Sequence, residues 1–266
     1  MILRLSGALL TMLAATVVWA QTPSTTIVRA AGGDIVITAL GHASVQLEQG
    51  GKVIIVDPVT NQADLSKAKQ ADLILVTDIH PDHFDPEAIN KLRKPKAPVV
   101  VPPAVMEMQK IPDAIVMSNR QMKTNESAPA GITVIAVPAY NIERGPAPGQ
   151  YYHPKERGQG YLLTFSDKLE DARNNKAASV YVAGDTECVP AIATWVKNVE
   201  VAFVPMNLPY TMSPAEAAEC VKEFKPKIAI PYHFSGQRPE EFAEALKGER
   251  IEVRILNWYP KVQTAR

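Results

Sequence analysis

The apolar run Leu73-Ile74-Leu75-Val76 leads straight into Thr77-Asp78-Ile79-His80-Pro81-Asp82-His83-Phe84-Asp85, and no other stretch constrains the chain as much. The run is short, branched and bounded by polar residues, which is the pattern of a buried strand. Asp85-Pro86-Glu87 then sets an N-capping aspartate before a proline at the first helical position, so a helix begins there. Four groups able to hold a metal (Asp78, His80, Asp82 and His83) are packed between the strand end and the helix start. Two of the chain's five histidines fall in this one loop, which weighs against a merely solvated polar turn. The carboxyl end of a strand is also where layered α/β sheets gather their ligands.

At 266 residues and 46% hydrophobic, the chain is long enough for one large α/β domain or two small ones. Its formal net charge of zero leaves no electrostatic footprint for nucleic acid or an anionic membrane surface, so a small-molecule substrate is the expected partner. Residues 1–20 have the form of a secretory signal peptide: Arg4, an apolar stretch from Leu9 to Val18, and the small-x-small site Val18-Trp19-Ala20. The stretch is short for a spanning helix, and no later segment approaches that length, so no membrane span is expected after cleavage. A periplasmic or secreted destination follows. Export implies an oxidising compartment, yet Cys188 and Cys220 are the only cysteines, and one disulfide or two separate thiols both fit the pattern.

Residues 21–33, with their Thr, Ser and Pro, read as a flexible lead-in, and residues 34–260 as a single folded domain. Three strands open it (34–40, 44–49, 52–57), the last two joined by Gln49-Gly50-Gly51, a good hairpin turn. Residues 62–70 form a short polar helix or turn. The strand of the opening motif, a helix at 85–94, a strand at 99–101, a short helix at 103–109 and a strand at 114–117 follow. Ile132 to Val137 is a strand paired with part of 121–127. Residues 138–159 then form a Pro/Gly/Tyr-rich stretch without apolar periodicity, and a loop of that length in a compact domain is usually functional or disordered. Tyr151, Tyr152 and His153 favour function. The pattern then restarts: strands at 160–165 and 180–183, a helix at 189–197, a strand at 201–204, and a helix capped by Ser213-Pro214-Ala215-Glu216. A strand at 228–230 running into Pro231-Tyr232-His233, a helix at 238–247 and a strand at 251–256 close the chain. Both halves run from hairpin strands to strand–helix units, the order of a layered α/β fold.

Three apolar runs therefore end in ligand candidates: Asp78/His80/Asp82/His83, then Asp185, then His233. Imidazole with carboxylate suits zinc, and manganese or iron where oxygen donors dominate. A carboxylate such as Asp185 is able to bridge two ions about 3.5–4 Å apart.

With Gly41-His42-Ala43, Asp57-Pro58, Gly184-Asp185-Thr186, Tyr210-Thr211-Met212 and Ile230-Pro231-Tyr232-His233 added in that order, the chain resembles the metallo-β-lactamase-fold hydrolases. The likeness is to the branch holding ascorbate-6-phosphate lactonase-like and N-acyl-phosphatidylethanolamine phospholipase D-like proteins, and it covers nearly all of the chain after the signal peptide. It implies an α/β four-layer αββα sandwich, one or two divalent metal ions, and a metal-activated hydroxide attacking an ester, lactone, amide or phosphodiester. By the same resemblance His80 belongs to a first metal, Asp82, His83 and His233 to a second, and Asp185 bridges, with Asp82 and Asp185 as the catalytic pair.

Two positions depart from the family pattern. Asp78 stands where the motif has its first histidine, and a carboxylate there is a harder, more anionic donor. Asn141 stands where a mid-chain histidine ligand is expected, leaving His153 either to supply the missing ligand or to act as substrate contact or proton donor. His42 is either a hydrogen-bond partner of the site or a catalytic group. Tyr210 and Tyr232 line the pocket or pack, and Lys155 and Arg157 meet an anionic substrate group or simply face solvent. The alternative to an enzyme is a metal- or ligand-binding protein of the same fold without turnover.

Overall fold

A computed structural model describes residues 24–259, so the expected signal peptide lies outside the described residues. The chain forms two seven-stranded sheets whose strands follow one another in sequence order. The first contains β1 (Thr25–Val28), β2 (Ile35–Gly41), β3 (Ser44–Gln49), β4 (Lys52–Val56), β5 (Leu73–Leu75), β6 (Val99–Val101) and β7 (Ile115–Val116). The second contains β8 (Met122–Lys123), β9 (Thr133–Ala139), β10 (Gly158–Thr164), β11 (Ser179–Val182), β12 (Val201–Pro205), β13 (Ile228–Tyr232) and β14 (Glu252–Val253). Each sheet has the same plan: an antiparallel meander of four strands, then three strands added in parallel.

Parallel additions need crossovers, and these carry the helices. On the first sheet they hold α1 (Pro86–Leu92) and α2 (Pro103–Met108). On the second, α3 (Leu169–Arg173) lies in the β10–β11 connection, and the crossovers hold α4 (Pro190–Trp195), α5 (Pro214–Phe224) and α6 (Pro239–Ala245). Period-2 alternation divides each central strand between two cores. Ile54, Val56, Leu73 and Leu75 face inward against Tyr161, Val182, Phe203 and Ile230 of the other sheet. Val53, Ile55, Ile74 and Val76 face outward under Ile89, Leu92 and Val105 of the first helical layer. Tyr181, Ala202, Val204 and Ala229 do the same under Ile192, Val221 and Phe242 of the second. The four-layer αββα sandwich is thus what continuous apolar strands require: each has two faces to cover.

Two local expectations change and one open alternative closes. The lead-in is not wholly loose: Thr25–Val28 pairs with Thr38–Ile35 as an edge strand, because four consecutive β-branched residues and a free sheet edge outweigh a turn-like composition. The closing strand is shorter than 251–256, with only Glu252 and Val253 paired to β13. Cys188 and Cys220 form a disulfide, which ties the segment after β11 to α5.

Candidate metal centre

The carboxyl ends of β4, β5, β11, β12 and β13, together with the loop that enters β10, meet along one edge of the sandwich. Asp57, just past β4, has φ +48° and is fully buried. Its carboxylate accepts from Thr77 N (2.7 Å), from Thr77 Oγ1 (2.6 Å) and from His83 Nδ1 (2.8 Å). One aspartate thereby locks the start of the ligand loop to the neighbouring strand and turns the Nε2 edge of His83 toward the site, the way carboxylates orient ligating imidazoles. Gly41 makes the adjacent turn possible: at φ +143°, a Cβ there would lie 2.5 Å from Gln62 O.

Around that edge the donor atoms fall into overlapping groups, each with its atoms within 4.8 Å of one another: Asp78/His80/His153, His83/Asp185/His233 and His42/Asp82/His233. Asp185 joins the first two, since its Oδ2 is 3.0 Å from His153 Nε2 and 3.2 Å from His83 Nε2 while Oδ1 is 3.4 Å from His233 Nδ1. Asp82 Oδ2 lies 3.2 Å from His233 Nε2 and 3.1 Å from His42 Nε2. The other nitrogen of His42 meets the Tyr259 hydroxyl at 2.9 Å.

The donor set fits a divalent cation on its own terms. His83 Nε2 and Asp185 Oδ1 are buried and, although each has an ion-pair neighbour at 3.2 or 3.4 Å, neither makes a well-aligned hydrogen bond among the described residues. Orphaned polar atoms of that kind are costly in a folded interior unless something satisfies them. The protonation states of two carboxylates and two imidazoles agree. Burial opposes ionisation of Asp185, but the charges of His233, His83 and His153 outweigh it and hold the carboxyl well below its usual range. Burial likewise opposes ionisation of Asp82, yet hydrogen bonds from His233 and His42 hold it far down. Burial lowers His80 and His42, favouring the neutral rings that ligation needs. His83 runs the other way: burial works to lower it, but the flanking carboxylates of Asp185 and Asp57 hold it well above the usual imidazole value.

His153 reaches the centre because Asn141 holds it. The Asn141 Oδ1 accepts from the His153 backbone N (2.7 Å) and meets its Nδ1 at 2.9 Å, leaving Nε2 toward Asp185. The Asn141 amide in turn donates to Tyr210 O (2.8 Å) and Glu187 Oε1 (3.3 Å). Asn141 is therefore a holder rather than a ligand. Asp78 also lies at the centre, buried, with Oδ2 in reach of the Arg157 guanidinium at 3.2 Å. Tyr232 does not line the pocket: its ring is buried between the sheets against Phe203 and Trp258, and its hydroxyl accepts from the Gly184 backbone N–H (2.9 Å). A central-strand side chain pointing inward has no route to the edge. Lys155 is outside as well, lying over the Tyr140 ring 5.0 Å from its centroid.

A pocket of about 440 Å³ opens onto the centre, with His80, Asp82, His153, Asp185 and His233 in its floor and Tyr210 at its rim. Tyr152 stacks edge-on to Tyr210, ring centroids 5.0 Å apart. Residues the sequence did not single out as site groups also contribute. Asp57 carried a signal, an aspartate directly after an apolar strand. Asn207, whose Nδ2 lies 3.5 Å from His233 Nδ1, and Tyr259 carried none, because their roles depend on strands that meet only in three dimensions.

Comparison with known proteins agrees with the fold. A family model described as a beta-lactamase superfamily domain matches residues 36–233. A UPF0173 metal-dependent hydrolase of Pyrococcus furiosus is 31% identical over 233 residues, spanning 83% of this chain and 95% of its own. The solved structure of a candidate metal-dependent hydrolase from Parabacteroides distasonis is 34% identical, covers 88% of this chain and 99% of its own, and superposes with a TM-score of 0.76. A metallo hydrolase of Ignicoccus hospitalis, at 23% identity, shares the fold with a TM-score of 0.63 over 84% of this chain and 94% of its own.

Proposed function

The chain belongs to the beta-lactamase superfamily and is a metal-dependent hydrolase, and from that premise we propose that it cleaves a small ester, lactone, amide or phosphodiester at the Asp185-centred cluster. The convergence of His153, His83 and His233 on one carboxylate, Asp185, with Asp78 and His80 grouped around His153 and Asp82 against His233, carries the reading. One or two divalent ions, zinc by the predominance of imidazole, would be held by those residues and would supply Lewis acidity and a water whose pKa drops toward about 7.

The chain's own groups divide the remaining work. Asp82 is the cluster carboxylate most open to the pocket, with 25% of its side chain exposed against 2% for Asp78 and 4% for Asp185. Held far below the usual carboxylate range, it is a poor proton acceptor, so its part is to ligate and to orient the attacking water. His42, bracketed by Asp82 and Tyr259, keeps that carboxylate in place. Tyr210 and Tyr152 offer aromatic faces at the rim for the apolar part of a substrate. The pocket volume suits a small molecule, and the neutral net charge speaks against a nucleic-acid substrate.

Export to the periplasm or beyond belongs to the same proposal. Residues 1–20 have the signal-peptide pattern, and the Cys188–Cys220 disulfide fits an oxidising compartment. The test is elemental analysis of the purified protein, followed by a screen of lactones, phosphodiesters and amides with the metal stripped and restored. Turnover on at least one class should vanish on stripping and return with zinc, and Asp82→Ala should lower kcat by at least about 10–100-fold through lost ligation and water positioning. A metal-loaded protein with no metal-dependent turnover on any class would overturn the reading in favour of a binding protein.

A further inference from the structure

The two halves of the centre are not equally ready for a cation. In the His83/Asp185/His233 half, neither His83 Nε2 nor Asp185 Oδ1 makes a well-aligned hydrogen bond among the described residues. In the Asp78/His80/His153 half stands a positive charge that, unlike a protonated imidazole, is not lost by releasing a proton. Arg157 Nη2 lies 3.2 Å from Asp78 Oδ2 and donates to His80 Nε2, also at 3.2 Å. The same nitrogen donates to Tyr152 O at 2.7 Å. The guanidinium is a placed group rather than a swinging one: the Arg157 backbone N–H returns to Pro154 O, the next residue starts β10, and four-fifths of the side chain is covered. Gly158 keeps the space that brings Asp78 up to this strand, since a Cβ there would stand 2.9 Å from Asp78 Oδ2.

An imidazole nitrogen has one in-plane lone pair, so His80 Nε2 either accepts from Arg157 or ligates a metal, and does not do both. The guanidinium stays charged at any working pH. It also offsets the carboxylate that Asp78 introduces where the family pattern has a neutral histidine. We propose that Arg157 is a built-in competitor for the first metal position. It makes the centre asymmetric, so that the cation at Asp82/His83/Asp185/His233 binds first and the one at Asp78/His80/His153 binds more weakly and only by displacing the guanidinium from His80. This rests on the reading of the cluster as a metal centre.

Zinc titration of the chelator-stripped full chain against a chromophoric competitor, with bound zinc counted by elemental analysis, tests it. The wild type should take one tight equivalent and a second at least about tenfold weaker. Arg157→Gln should tighten the second equivalent by about tenfold or more and leave the first unchanged, which also shows that the variant folds. Arg157→Lys, which keeps the charge, should retain most of the gap, and Asp78→Ala should abolish the second equivalent alone. Two equally tight equivalents in the wild type would overturn the proposal without recourse to any variant, as would a second equivalent weakened or unmoved by Arg157→Gln. A wild type that binds no zinc would overturn the metal-centre reading itself.

Discussion

At the scale of single residues, the centre depends on groups that never touch a substrate. Asp57 turns His83, His42 braces Asp82, and Asn141 turns His153. Each uses the same chemistry: one ring nitrogen or carboxylate oxygen is occupied from behind so that the other faces the pocket. Outer partners of this kind typically carry roughly 10–100-fold of metal affinity when removed. Asn141→Ala should therefore weaken zinc binding by about that factor at the half-site containing His153, and a chelator competition assay will resolve the change. His153→Ala should remove that equivalent altogether. An Asn141→Ala protein with unchanged zinc affinity would show that His153 is held by something else.

At the scale of elements, the loop between β9 and β10 is organised by Glu187, which lies two residues after Asp185. Its carboxylate accepts from the backbone N–H groups of Ile142 (2.8 Å), Glu143 (2.9 Å) and Arg144 (2.8 Å). The Arg144 guanidinium then reaches Glu216 in α5 with contacts of 2.7 and 2.8 Å. Burial opposes ionisation of Glu187, but the three backbone donors outweigh it, so its folded pKa lies below the ordinary 4.5. Glu216 is lowered too, chiefly by Arg144 against the opposing effect of burial. A depressed folded pKa contributes stability that is complete above the unfolded value and is lost as pH falls through the folded one. Hydrogen-exchange protection at Ile142 to Arg144 should thus hold steady from neutral pH down to about 4.5 and decline below it. Glu187→Gln should show lower protection with little dependence on pH. A wild-type profile that falls already between pH 7 and 5 would contradict this account.

At the scale of the whole molecule, the centre lies where the two sheets meet. Asp82 and His83 come from the first sheet, through the loop after β5; His153, Asp185 and His233 come from the second. A cation held by both sets bridges two layers that otherwise adhere by apolar contact between their inner faces and by a few hydrogen bonds, such as Tyr161 Oη to Val76 O at 2.7 Å. Such a cation binds the folded chain and not the separated strands, so it stabilises by mass action, by about 2.7 kcal/mol at a hundred times Kd. Excess zinc should raise Tm in proportion to the logarithm of its concentration, EDTA should reverse the rise, and Asp185→Asn should flatten the response. Calorimetry of the stripped and loaded protein measures all three.

Much of this was legible in one dimension. Short continuous apolar runs ending in Asp78, His80, Asp82, His83, Asp185 and His233 specify a layered sheet with ligands on one edge, because the run and what ends it are local properties of the pattern. The order of hairpin strands followed by strand–helix units already contained the common plan of the two sheets. Other features had no local cause. Thr25–Val28 becomes a strand only because β2 offers it an edge, and Tyr232 is lost to the pocket because its strand faces it inward. Cys188 meets Cys220 across 32 residues of chain. His153 becomes a candidate ligand through Asn141, which Glu187 and Tyr210 hold from 46 and 69 residues away. Arg157 meets Asp78 across 79 residues. The sequence by itself determined which donors stand at strand ends; tertiary packing decided which way the loop residues turn, because a loop side chain takes its direction from partners that only folding brings near.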